Sequence, residues 1–86
     1  MEISLGDIVK SLAGRDKGEI YLVVALDGDF AYAVNGRSRK SDNPKKKRSK
    51  HLNKLSHSEF AEGKLQERKL TNVEIRRELE GISNIK

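Results

Sequence analysis

Residues 6–26 read GDIVKSLAGRDKGEIYLVVAL, and this stretch indicates the fold more clearly than any other part of the chain. Two runs rich in apolar and β-branched side chains, DIVKSL (7–12) and EIYLVVAL (19–26), flank the loop AGRDKG (13–18). Short runs of this composition, separated by a glycine-containing loop, are typical of neighbouring β-strands. The stretch therefore predicts two strands joined by a basic loop.

The strand pattern continues in the middle of the chain. FAYAV (30–34) is followed by Asn35-Gly36, a dipeptide that favours the type I′ turn of a tight hairpin. We therefore expect RSRK (37–40) to form the returning strand, and a last short strand to lie near residues 50–55. Four to five short antiparallel strands within residues 1–56 indicate a mainly β domain of the small-barrel type.

The chain has four aromatic residues, and two of them are assigned to the core. Alternation along FAYAV puts Phe30 and Tyr32 on one side of a strand, and a small core needs such large side chains. Tyr21 falls on the opposite side of its strand from Ile20 and Leu22, so we expect Tyr21 to be exposed. With so few exposed rings, recognition of phosphate and shape is favoured over readout of individual bases.

The last third of the chain, residues 57–86, is predicted to form a polar connector followed by a helix. Thr71 to Glu74 fits the S/T-x-x-E capping box that opens a helix, and we expect this helix to span about residues 72–80. A similar box, SHSE (56–59), is followed so soon by Gly63 that a single helical turn is expected there. The apolar residues that share one face of the C-terminal helix are Ile75, Leu79 and Ile82.

Positive charge is concentrated in one segment. The 86 residues include 18 basic and 13 acidic side chains, a net charge of +5. Residues 37–54 contain nine of the basic side chains against Asp42 alone, while the rest of the chain is slightly acidic. Such a local excess produces a field that attracts polyanions. Lysines also protect exposed strands from pairing edge to edge, but that role needs only one or two of them.

Three features together resemble a known family. Residues 6–26 resemble the KOW motif, Asn35-Gly36 stands where the family has a hairpin, and NPKKKRSKHL (43–52) is similar to the lysine-rich stretch that follows. Over residues 4–56 the chain is similar to small bacterial KOW-domain RNA-binding proteins, which themselves resemble eukaryote-type large-subunit ribosomal proteins. The resemblance implies an SH3-like (KOW) barrel, structured RNA such as ribosomal RNA as the partner, and a ribosome-associated role in translation.

The basic residues of these segments are the candidate RNA contacts. Lysine and arginine that neutralise phosphates release counterions, which drives binding without base-specific contacts. The loop of KOW relatives touches RNA, which implies contacts from Arg15 and Lys17; an ion pair of either residue with Asp16 or Glu19 is the alternative. His51 fits a phosphate contact and fits equally an ordinary packed or exposed histidine. The predicted RNA-binding residues are Arg15, Lys17, Arg37, Arg39, Lys40, Lys45, Lys46, Lys47, Arg48, Lys50 and His51.

Catalytic chemistry is not indicated. The chain has no cysteine, which excludes disulfides and thiolate metal sites, and His51 and His57 alone cannot complete a zinc site. Asp27 and Asp29 flank Gly28 in a turn, where aspartates serve backbone hydrogen bonding, and no nucleophile and base are paired. We expect a non-enzymatic protein with no catalytic residues, no cofactor and no metal.

The N-terminal residues MEISLGDIVK have the features of neither a signal peptide nor a membrane span, so we expect a cytoplasmic, monomeric protein without membrane contact. The alternative function is a protein–protein interaction module of the transcription or translation machinery, whose basic face meets an acidic protein partner. NPKKKRSKHL also matches a nuclear address, but its place between a predicted hairpin and Leu52 favours a folded surface. DNA binding is less favoured because no helix is placed to enter a major groove.

Overall fold

A computed structural model describes residues 2–83 and contains five antiparallel strands in one sheet, ordered β4-β3-β2-β1-β5, with two helices. This confirms the prediction of a mainly β fold with four to five short antiparallel strands. The elements are β1 (Asp7–Ser11), β2 (Ile20–Asp27), β3 (Phe30–Val34), β4 (Lys45–Arg48), a 3-10 turn (Ser49–His51), β5 (Leu52–His57), α1 (Glu59–Gln66) and α2 (Asn72–Ser83).

Both faces of the sheet are packed, because apolar side chains along β1, β2 and β3 alternate between one face and the other. On one face the strands pack against the helices. We call this the helix-side core, and its buried members are Ile8, Leu22, Val34, Ala61, Ile75 and Leu79. We call the cluster on the opposite face the strand-side core. Its buried members are Val9, Tyr21, Val23, Ala31, Ala33 and Leu52, with Ile3 packed against them.

The aromatic residues are distributed differently from the prediction. Tyr21 is only 2% exposed and lies in the strand-side core, so the prediction that it is exposed is wrong. In β3 the fully buried residues are Ala31, Ala33 and Val34, whereas the aromatic residues Phe30 and Tyr32 are half-buried. Because β2 is a central strand packed on both faces, its tyrosine has no solvated side. In β3, beside the edge strand, the large side chains lie on the face that the helices leave partly open.

The predicted tight hairpin at Asn35-Gly36 is wrong, since residues 37–40 form no strand and β3 instead pairs with β4 across a ten-residue loop, 35–44. The side-chain oxygen of Asn35 accepts hydrogen bonds from the backbone N–H groups of Arg37 and Arg39, both at 2.9 Å, which folds the loop back on itself. The dipeptide therefore makes a turn, as its composition indicates, but a local one.

The loop 35–44 is held against α2. Gly36 has φ +76°, and a Cβ at this position would lie 2.7 Å from the carbonyl oxygen of Asn72. The guanidinium of Arg76 donates to the Gly36 carbonyl at 2.6 Å, and the side-chain oxygen of Asn72 accepts from the Ser41 N–H at 2.8 Å. Because only glycine fits so close to the helix, Gly36 sets where the basic loop runs.

The helices begin at capping residues. At α2 the Thr71 hydroxyl accepts from the Glu74 N–H at 3.2 Å and the Glu74 carboxylate accepts from the Thr71 N–H at 3.0 Å, which is the predicted box. The helix extends three residues beyond its predicted end. At α1 the cap is Ser58, whose hydroxyl accepts from the Ala61 N–H at 3.0 Å, and the helix has eight residues rather than the predicted single turn.

The strand ladders run in one open series, from β4 at one edge to β5 at the other, over the part of the chain that the structure describes. The strand predicted near 50–55 is β5, in which Leu52 is buried and Leu55 is 41% exposed. None of the helices within residues 2–83 has the length and apolar character needed to cross a membrane.

Candidate nucleic-acid interface

The basic strand β4 divides its four side chains between the two faces of the sheet. Residues opposite each other on neighbouring antiparallel strands share a face. Lys45 and Lys47 pair with the fully buried Ala33 and Ala31, so they belong to the strand-side face. Lys46 and Arg48 pair with Tyr32 and Phe30, so they belong to the opposite face. The four consecutive basic residues of β4 therefore lie in two different environments, one on each face of the sheet.

On the strand-side face, the two lysines hold a buried carboxylate. The ammonium of Lys47 lies 2.9 Å from Oδ1 of Asp16, and that of Lys45 lies 3.3 Å from Oδ2. The side chains of Asp16 and Lys47 are each only 9% exposed. The carboxylate also accepts from the hydroxyls of Ser11 and Tyr21, both at 2.9 Å. We call these five residues the Asp16 cluster.

The cluster changes the acidity of its members. Burial alone raises the pKa of Asp16, but the hydrogen bonds from Lys47, Tyr21, Ser11 and Lys45 outweigh it and hold that pKa well below its usual range. Burial and the hydrogen bond to Asp16 raise the pKa of Tyr21 well above its usual range. Asp16 is therefore ionised and Tyr21 neutral throughout the physiological pH range.

The same lysine ties the first loop to the edge strand. Besides Asp16, the Lys47 ammonium donates to the Ser11 hydroxyl and to the Ala13 carbonyl, both at 3.0 Å. The ion pair of Asp16 with its sequence neighbours, considered above as an alternative, does not form. Arg15 and Lys17 are exposed on either side of the buried aspartate, at the end of the sheet where the loop meets β4.

On the helix-side face, the other two cations of β4 are exposed. The Lys46 ammonium lies 4.4 Å from the centroid of the Phe30 ring, and the Arg48 guanidinium carbon lies 4.9 Å from it. Both distances are within the range of cation–π contacts. Arg48 also borders an open groove of about 820 Å³ with Leu26, Asp29 and Lys50 among its lining residues.

The remaining predicted contacts lie in the loop before β4 and in the turn after it. Arg37 is 68% exposed and its guanidinium lies 3.5 Å from Glu80, a surface ion pair of small energetic weight. Lys40 and Lys50 are exposed, and His51 is half-buried in the 3-10 turn. Among residues 2–83, the predicted lysine and arginine contacts that make no ion pair are Arg15, Lys17, Arg39, Lys40, Lys46, Arg48 and Lys50.

A second buried carboxylate lies at the opposite edge of the sheet, and the sequence analysis did not identify it. Asp7 is fully buried, and its Oδ1 lies 2.7 Å from Nδ1 of His57 and 3.4 Å from the Lys54 ammonium. The other ring nitrogen of His57 lies 2.9 Å from Oε1 of Glu62 in α1. Hydrogen bonds to the two carboxylates raise the pKa of His57 above its ordinary value. We call Asp7, Lys54, His57 and Glu62 the Asp7 cluster.

The described residues contain no group of three or more histidine and acidic side chains placed to hold a metal ion. Within known proteins, no family matches the chain, and no curated protein matches it either. The function is therefore argued from the charges and contacts of the chain itself.

Proposed function

We propose that the protein binds RNA without catalysing a reaction, through the exposed cations of the loop 37–40, of the helix-side face of β4 and of the 3-10 turn. The observation that carries this proposal is the division of β4. Among residues 2–83, Lys46 and Arg48 have no carboxylate partner, although the strand directs Lys45 and Lys47 onto Asp16. If the cations of β4 served only to neutralise a buried carboxylate, we would not expect further, unpaired cations on its helix-side face.

The proposal removes Lys47 from the contact surface. Its ammonium is 9% exposed and donates to three oxygen atoms, so it cannot reach a phosphate without breaking the Asp16 cluster. We assign it, with Lys45, to holding the first loop in place. In this arrangement Arg15 and Lys17 form an edge contact whose position depends on a residue distant in sequence.

We further propose that the sheet is an SH3-like barrel of the KOW type, as the resemblance implies. Val9, Val23, Ala31 and Ala33 are all fully buried although the helices pack on the opposite face, which indicates that the sheet curls over them. Two backbone hydrogen bonds support such a curl: Leu12 N–H to the His51 carbonyl and Ser49 N–H to the Asp29 carbonyl, both at 2.8 Å. By this resemblance, structured ribosomal RNA is the natural target.

The first test is the salt dependence of RNA affinity. If about five phosphates are neutralised, log K falls with log [salt] at a slope of roughly −3.5 to −4.5, because each contact releases counterions. Filter binding or fluorescence anisotropy with a ribosomal RNA fragment measures this slope. An affinity that is flat between low and physiological salt would contradict the electrostatic mechanism.

The second test compares two double variants that remove the same charge. Lys46→Ala/Arg48→Ala is expected to weaken RNA binding at least tenfold while leaving the fold intact, because both side chains are exposed. Lys69→Ala/Arg77→Ala removes two exposed cations from the helical third of the chain and is expected to have a small effect. Equal losses in the two variants would show that net charge, and not the β4 surface, governs binding.

Binding of an acidic protein partner is the alternative function, and the structure limits which surface could contact such a partner. Ile75 and Leu79 are buried in the helix-side core and Ile82 packs against it, so α2 does not offer this apolar face to a partner. What remains is contact through the basic surface. Nuclease treatment of a lysate before pull-down separates the two functions, since it removes ribosomal material from an RNA binder and leaves a bound protein in place.

A further inference from the structure

We propose that Phe30, with Tyr32 beside it, is a stacking site for an unpaired nucleobase of RNA, and that Lys46 and Arg48 bind the phosphates next to that base. This inference rests on the proposed RNA binding and adds the kind of RNA that the site accepts. Phosphate contacts alone do not distinguish paired from unpaired RNA, whereas a stacking site requires a base that is out of the helix.

The position of the two rings carries the first part of the argument. Phe30, Tyr32 and Val34 share the helix-side face of β3, but only Val34 is buried in the core with α2. Beyond Val34 the helices do not seal this face, and both rings remain half-buried. A strand irregularity in β2 between Val23 and Ala25 places the small side chain of Ala25 directly opposite Tyr32.

The chemistry around Phe30 carries the second part. The Lys46 and Arg48 cations lie 4.4 and 4.9 Å from its ring centroid, on long side chains that are exposed and make no ion pair among residues 2–83. Cation–π contacts at exposed sites are weaker than stacking of a base on an aromatic ring. A base can therefore replace one cation on the ring, and the displaced ammonium or guanidinium gains a phosphate. The planar guanidinium of Arg48 can also remain and stack on the base.

The charges nearby orient the ligand. Asp27 is the cross-strand partner of Phe30 on β2, and its exposed side chain repels a phosphate on that side of the ring. Lys46 and Arg48 lie on the other side, on β4. The base accordingly lies over Phe30 with its sugar–phosphate backbone along β4. Two aromatic residues at alternate positions of a strand, on an open sheet face, form the kind of platform on which bases stack in RNA-binding sheets.

The chain supplies a matched control in Phe60. Phe60 is 47% exposed on α1 and has the Lys64 ammonium 5.7 Å from its ring centroid, so it shares with Phe30 an accessible aromatic ring with a lysine over it. It is remote in sequence from the basic strand and lies outside the proposed surface. The comparison of Phe30 with Phe60 therefore tests position on the sheet and not the mere presence of a ring.

The experiment uses two probes, an oligouridylate of about 12 nucleotides, the scale of site that small β-folds cover, and an RNA duplex of equal length. Phe30→Leu is expected to weaken binding of oligouridylate about five- to tenfold and to leave duplex binding unchanged. Phe60→Leu is expected to change neither. Since the chain has no tryptophan, Phe30→Trp provides a second readout: its fluorescence is expected to be quenched by oligouridylate, and that of Phe60→Trp is not.

The outcomes separate this inference from the proposed function. If the wild-type protein binds both probes with steep salt dependence but Phe30→Leu and Phe60→Leu bind oligouridylate equally, stacking is overturned and RNA binding stands. If the wild-type protein binds neither probe, both proposals fail. If Phe30→Leu does not fold, quenching of Phe30→Trp decides, and unchanged fluorescence on binding overturns the stacking site.

Discussion

The Asp16 cluster and the Asp7 cluster both compensate the charge of a buried aspartate, but they do so with different side chains. Each contains a buried aspartate that contacts an edge strand of the sheet: Asp16 contacts β4, and Asp7 contacts β5. Asp16 is neutralised mainly by two lysines, a residue type whose ordinary pKa lies far above neutrality. Asp7 lies closest to His57, and hydrogen bonds to Asp7 and Glu62 raise the pKa of this histidine above its ordinary value. One edge of the sheet is thus held by a permanent charge pair and the other by a charge pair that depends on pH.

The difference also bears on function. The permanent pair fixes the strand from which Lys46 and Arg48 project, so the proposed RNA surface keeps its geometry as pH changes. The titratable pair joins β5 to α1 through His57 and Glu62, away from that surface. The two clusters can therefore be perturbed separately, with stability as the readout.

The largest effect is expected from Lys47→Met, which keeps the apolar stem and removes the charge. It leaves Asp16 with Lys45 alone, at 3.3 Å, in a site that is 9% exposed. Breaking a buried ion pair on one side costs about 3–5 kcal/mol, and we expect about 3 kcal/mol because Lys45 remains. Urea unfolding at neutral pH measures this loss.

The control for that variant is Lys54→Met, the same substitution at the lysine of the Asp7 cluster. Lys54 is 36% exposed and 3.4 Å from Asp7, with His57 still in place, so less than about 1 kcal/mol is expected. Similar losses for the two variants would contradict the distinction between the two edges.

A somewhat smaller effect, about 2 kcal/mol, is expected from Asp16→Asn, because the single amide oxygen can still accept the hydrogen bonds of one carboxylate oxygen while the charge is lost. The pKa of Asp16 is lowered in the folded protein, so its contribution is complete above the unfolded pKa of about 3.9 and is lost only as pH falls through the lowered value. The difference in unfolding free energy from wild type should therefore be constant from neutral pH down to about pH 5. A difference that shrinks within that range would refute the assignment.

A smaller effect than that of Asp16→Asn, about 1 kcal/mol, is expected from His57→Gln, and its pH dependence has the opposite sign. Because the pKa of His57 is raised on folding, its contribution is complete below the unfolded pKa of about 6.5 and is lost as pH rises through the raised value. Thermal melts of wild type and variant should differ most at mildly acidic pH and converge at alkaline pH. Melting temperatures that diverge with rising pH would exclude the proposed pairing.

The local parts of the fold could be predicted from sequence. β1, β2 and β3 are recognisable from composition and turn residues, and the start of α2 from the Thr71–Glu74 box, since each signal lies within a few residues. β4 was not predicted, because four consecutive basic residues lack both strand propensity and an apolar alternation. It is a strand because β3 requires a partner and because Asp16, 31 residues earlier, compensates Lys47. From the sequence, Asp16 was considered only as a partner of neighbouring loop residues. Its contact with β4 depends on the fold, which brings the first loop next to that strand.

The sequence predicted which segment of the chain contains the candidate site, but not which of its side chains are exposed together. The sequence identifies which residues are basic, and it assigned Arg37 and Arg39 to a strand that does not form. Which cations are exposed together follows from pairing with β3, a long-range property. The same pairing leaves Phe30 half-buried beside β4. The sequence analysis had assigned Phe30 to the core because a small core needs large side chains.

The near-uniform charge of β4 has a consequence for folding. A strand usually encodes its alignment in alternating apolar and polar side chains, so that a slip of one residue buries the wrong set. In Lys45–Arg48 a slip exchanges one cation for another, and the strand carries almost no alignment information of its own. Alignment is imposed from beyond the strand, by the Ser49 N–H bonded to Asp29 and by the buried Leu52. A register shift between β3 and β4 is therefore opposed mainly by these two contacts outside the strand, and only weakly by the side chains of β4 itself.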